Sequence, residues 1–96
     1  MIQTIELASL TVLVHYRDAQ QGANHQLVPF KVYEQHDRYI AIPLLREEEL
    51  VPMGLPERIA FRVSNKDIIS LDGGGELLMK TIREIIRELN LQRLLD

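Results

Sequence analysis

The sequence contains no cysteine. That excludes a disulfide framework, a thiolate nucleophile and zinc or iron–sulfur sites built on sulfur, and it fits a reducing, cytoplasmic location. Long apolar runs are missing too, and no stretch approaches the roughly 18 residues needed to span a bilayer. The opening Met1-Ile2-Gln3-Thr4-Ile5-Glu6 has neither a basic start nor a continuous apolar core, so no signal peptide is expected. Aromatic residues are scarce, two Phe and three Tyr, and carry no RNA-recognition signature. Apart from Gly73-Gly74-Gly75 there is no low-complexity segment and no internal repeat.

What remains is an ordinary globular balance, 46% hydrophobic and 26% charged over 96 residues, which is one domain's worth of chain, residues 1–96. A chain this short buries only about 60–65% of its unfolded surface, so a partner subunit would add measurably to its stability. Eleven basic against fourteen acidic residues give a net charge of −3. That argues against phosphate-backbone binding as the main activity, because such binding draws its affinity from Lys and Arg displacing counterions.

Residues 10–16 alternate Leu10, Val12, Val14 and Tyr16 against Thr11, Leu13 and His15, the period of a strand that could begin as early as Ile5. The polar run Arg17–Asn24 predicts a mobile turn. Val28, Phe30 and Val32 then alternate with Pro29, Lys31 and Tyr33, and after Gln35-His36-Asp37-Arg38 the run Tyr39–Ile42 completes a hairpin. Pro29 cannot donate to a ladder, so its strand should lie at an edge or the proline at a non-bonded or bulged position.

A short helix is expected over residues 45–51, stopped by Pro52, Gly54 and Pro56. Arg58–Ser64 alternates Ile59, Phe61 and Val63 against Arg58, Ala60 and Arg62. Asn65-Lys66-Asp67 reads as a turn into Ile68–Leu71. From Glu76 onward Leu78, Ile82, Ile85, Ile86 and Leu89 recur at three- and four-residue intervals, one stripe of an amphipathic helix. The fold expected is α+β: an antiparallel sheet of four or five strands, the long C-terminal helix on one face, the short helix at an edge or end. The second face is then solvated or covered by another subunit.

Few residues point to chemistry. The three glycines precede a helix, but Gly-Gly-Gly-Glu-Leu lacks the Lys-Ser/Thr of a phosphate loop, and Asp72 and Glu76 would repel an anion, so a connector is the better reading. Among the histidines, a site would need His15 and His36 brought together across paired strands, with His25 beside a loop. No serine has a nucleophile-elbow context, and Glu47-Glu48-Glu49 reads as a solvated helix face. No metal site or cofactor is indicated.

Lys31 and Tyr33 share one strand face and Arg58 and Arg62 another, so a sheet surface mixing cations and aromatics could stack bases. Leu91, Leu94 and Leu95 keep helical spacing among themselves yet fall off the core stripe that ends at Leu89. Either Asn90 takes a left-handed cap conformation and the tail folds back, or these leucines meet a partner, most simply a second copy.

The leading expectation is a small interaction or regulatory module without catalytic activity, a homodimer, that binds through its sheet face, an edge strand or the C-terminal leucines. A nucleic-acid accessory protein is second, and a small-ligand protein or enzyme using His15 and His36 is last. The core assignment is testable at once: Phe61→Ala and Ile85→Ala should each cost about 2–5 kcal/mol in denaturant unfolding. A melting temperature lowered by only about a degree or two would contradict burial of that residue.

Overall fold

A computed structural model describes residues 3–20, 22–64, 67–71 and 73–94. The chain runs β1 (Thr4–Asp18), β2 (Gly22–Gln35), β3 (Arg38–Pro43), a short helix α1 (Glu47–Leu50) with a 3-10 turn (Val51–Met53), β4 (Ile59–Ser64), β5 (Asp67–Ser70) and the long helix α2 (Glu76–Leu91). The strands form one sheet in chain order, β1-β2-β3-β4-β5, with every neighbouring pair antiparallel. This is an α+β fold. The expected turn at Asn65-Lys66 lies outside the described residues.

Alternation sends one residue set of each strand towards α2: Leu10, Val12 and Val14 from β1, Val28, Phe30 and Val32 from β2, Ala41 from β3, Ile59 and Phe61 from β4. They meet Ile82, Ile85, Ile86 and Leu89 of α2, and Leu50, Met53 and Leu55 close the end of the layer. Phe30, Phe61, Ile82 and Ile85 are fully buried. Val63 belongs to the inward set by parity but is exposed, since it pairs with Ile68 near the end of the sheet.

Three details depart from the sequence pattern. First, β1 and β2 run almost to their shared turn, so the mobile Arg17–Asn24 loop is instead ladder: Tyr16 pairs with Asn24, Arg17 with Ala23 and Asp18 with Gly22. Gly22 makes the tight reversal possible at φ 79°, a conformation costly for residues with a Cβ. The paired strands set the molecule's long dimension, 43 Å.

Second, β2 is interior, so Pro29 is not on an edge strand. The β2–β3 ladder ends at Phe30 opposite Pro43, one residue before the proline. The Pro29 carbonyl still accepts from the Leu44 N–H at 2.8 Å, but no β3 residue lies opposite to need its missing donor.

Third, β1 carries a bulge between Glu6 and Ala8. Strict alternation would put Glu6 on the helix side with Ala8 and Leu10; the extra residue, Leu7, turns it to the opposite face, across from Tyr33.

The C-terminal leucines part company. Helix α2 ends in a Schellman arrangement: Arg93, not Asn90, takes the left-handed conformation, at φ 57°. The Arg93 N–H donates to the Asn90 carbonyl at 3.0 Å and the Leu94 N–H to that of Leu89 at 2.9 Å. Ending the helix three residues later than expected puts Leu94 where it packs back on the core. Because Arg93 pays the strain of a positive φ, Arg93→Gly should stabilise the fold by about 0.5–1 kcal/mol in denaturant unfolding. Asn90→Gly, inside the helix, should destabilise it; the reverse pattern would place the cap at Asn90.

Candidate interaction surface

Among the described residues no helix is laid on the face of the sheet turned away from α2. The apolar members of this face lie in adjoining rows: Leu13 opposite Leu27, Thr11 opposite Pro29, Lys31 opposite Ile42, and the row Tyr33, Ile40, Ala60. Ile69 adds to it on β5, opposite Arg62. Leu27 is 64% exposed and Ile69 47%. Ile40 and Ala60 are nevertheless buried. Arg62, two residues beyond Ala60, has its Nε buried without a hydrogen-bond partner, so its side chain lies along the sheet and only its tip reaches water.

Of the residues expected to contact nucleic acid, Lys31, Tyr33 and Arg62 do share this outer face, and exposed Arg58 stands just before β4 with the same parity. Two of the cations are already neutralised. Lys31 Nζ lies 3.0 Å from Glu6 Oε1, a contact created by the β1 bulge, and Arg62 Nη2 lies 3.4 Å from Asp37 Oδ2 in the β2–β3 turn. The hydrogen bond and charge of Glu6, reinforced by Tyr33, hold the Lys31 pKa above its usual 10.5. A raised lysine pKa contributes stability that is complete below the ordinary value and lost only as pH rises through the raised one, so this pair adds no pH dependence near neutrality.

The histidines do not assemble as required for a His15–His36 site. The register sets His15 opposite His25, ring centroids 6.1 Å apart, whereas His36 sits at the other end of β2 in its two-residue turn. There His36 supplies a positive φ of 59°. Among the described residues no group of three or more His, Asp or Glu is placed to hold a metal ion. The His15–His25 pairing was readable only by taking Gly22 as the end of a tight turn, since pairing Asp18 with Gly22 fixes every later partner.

Around the glycine connector, Gly73 and Gly74 have φ of 76° and 111°, and a Cβ on Gly74 would collide with Leu78. These glycines serve the close approach of chain and helix. Beside them an open groove of about 860 Å³ runs between the α2 N-terminus and the 3-10 turn, with Arg17 and Glu76 of opposite charge on its walls. Leu91 is 66% exposed and shares a shallow 420 Å³ groove with Ile68 and Ile86. Leu94 is half-buried on its own core, and Leu95 lies outside the described residues. Leu91 and Leu94 thus have different surroundings, one exposed and one against the core.

Among the described residues no helix is long and apolar enough to cross a membrane. No family model, no curated protein and no solved structure matches this chain.

The ion pairs bear directly on the nucleic-acid reading. In fluorescence anisotropy with a labelled single strand, the wild type should show no saturable binding at about 0.15 M salt. Glu6→Gln/Asp37→Asn, which frees both cations, should introduce weak, salt-sensitive binding. Tight wild-type binding that weakens steeply with salt would contradict this account.

Proposed function

We propose that this chain is a small, non-catalytic interaction module of the cytoplasm that works as a homodimer, two copies meeting through the outer faces of their sheets. The observation that carries the reading is the strip of apolar residues on the outer face, exposed Leu27 and half-buried Leu13, Pro29, Ile42 and Tyr33. An antiparallel sheet tolerates a wet face when that face is polar; leucine, isoleucine and proline in adjoining rows are a different composition.

Three features favour a second copy as the occupant. At about 3.3 Å per residue and about 4.8 Å between strands, the five strands present roughly 700 Å², near the 800 Å² per partner of a standard interface. Two of the face's cations, Lys31 and Arg62, have Glu6 and Asp37 beside them, which lowers the repulsion a like face meets. A sheet face is also suited to two-fold self-association, in which one patch meets its own copy.

The test is sedimentation velocity over a concentration series. The wild type should be a dimer. Leu27→Glu, at a position too exposed to disturb the monomer core, should give a folded monomer, while Leu91→Glu should leave the dimer intact. A wild type that stays monomeric at high concentration overturns the proposal. Dissociation by Leu91→Glu but not by Leu27→Glu moves the interface to the end of α2 and overturns it equally.

A further inference from the structure

His15 and His25 are directly opposed on β1 and β2, and by parity both project from the outer face. Side chains so placed have Cβ atoms about 4.5–5.5 Å apart. The two imidazole rings stand with centroids 6.1 Å apart and planes inclined at 50°. That inclination is not a stack, and a turn about each χ2 is what would aim one nitrogen of each ring at a shared ion. An ion held by one nitrogen of each ring at about 2.0–2.1 Å would set the centroids roughly 5–6 Å apart. The observed spacing lies just beyond that range, and rotamer adjustment of an exposed His25 and a half-buried His15 closes the difference.

We propose that His15 and His25 form a two-imidazole chelate for a divalent late first-row transition ion such as Zn2+, Ni2+ or Cu2+. The donor set selects that class. Imidazole nitrogen suits these ions, whereas Mg2+ and Ca2+ require oxygen ligands. The flanking outward rows are Leu13 with Leu27 and Arg17 with Ala23, and neither brings a carboxylate. Two protein ligands leave the remaining positions to water in the single chain.

The backbone supplies the preorganisation. The tight turn at Gly22 and the pairs Tyr16–Asn24, Arg17–Ala23 and Asp18–Gly22 lock the register on the turn side of the histidines. Little conformational freedom is therefore lost when the ion binds. The same location gives binding a consequence: β3 ends its pairing at Phe30, so the histidines tie together a two-stranded ribbon that has no third strand beside it. A bound ion stiffens that ribbon and the adjoining Leu13–Leu27 row. The chelate is complete within one chain and does not depend on dimerisation.

Calorimetric titration of Zn2+ into the full chain, free of any histidine tag, tests the assignment. One ion per chain is expected. His15→Ala and His25→Ala should each lower the association constant by about tenfold or more, because water then replaces the second imidazole. His36→Ala should leave it unchanged, and saturating Zn2+ should raise the melting temperature of the wild type but not of the two chelate variants. Melting without Zn2+ verifies that each variant is folded, and exposed His25 carries the test should His15→Ala be unstable. Unchanged affinity in His25→Ala, or an equal loss in His36→Ala, overturns the proposal. A chain that proves monomeric but still loses Zn2+ through His25→Ala would separate failure of the dimer reading from failure of this one.

Discussion

One helix has to serve a five-stranded sheet. Helix α2, 16 residues long, covers one face and buries its stripe of Ile82, Ile85, Ile86 and Leu89 against the inward residues of β1, β2 and β4. Fully burying a large apolar side chain contributes about 1.5–3 kcal/mol, so this single contact supplies much of what holds a small domain together. Everything else in the architecture is arranged around it. The α1 and 3-10 segment adds Leu50 and Met53 to close the end of the layer, and the Schellman turn at Arg93 returns Leu94 to the same core. No long helix remains for the opposite face.

Much of this was legible in the residues because the hydrophobic period is clean. The inward sets of β1, β2 and β4 and the α2 stripe follow from alternation and from three- and four-residue spacing, and tertiary packing agrees with both. The failures have local causes. Arg17–Asn24 looked like loop because its residues are polar, yet polar residues are at home in a ribbon with solvent close by, and Gly22 needed only a tight turn to keep the strands paired. Pro29, by contrast, takes the non-bonded position that its missing donor allowed, because the ladder beside it stops one residue short.

The interaction surface was less accessible still, and for a different reason. That a second face would lack a helix could be counted from the elements; what that face holds depends on register. The bulge at Leu7 moves Glu6 from the core side to the side of Lys31, and thereby converts a candidate nucleic-acid contact into one half of an ion pair. Arg62 is drawn to Asp37 in the same manner. Leu91 and Leu94 separate because α2 runs to Leu91 and the left-handed turn falls at Arg93, so Leu94 goes to its own core while Leu91 remains outside.

The central claim is that the outer sheet face, and not the helix side, meets a second copy. Methyl NMR spectra recorded over a concentration series test it most directly. The account predicts that the signals of Leu13, Leu27 and Ile42 move together with concentration along one association curve, while those of Ile82 and Ile85 beneath the helix stay fixed. Signals that do not move at any concentration, or concentration-dependent shifts confined to Leu91 and its neighbours on α2, would contradict it.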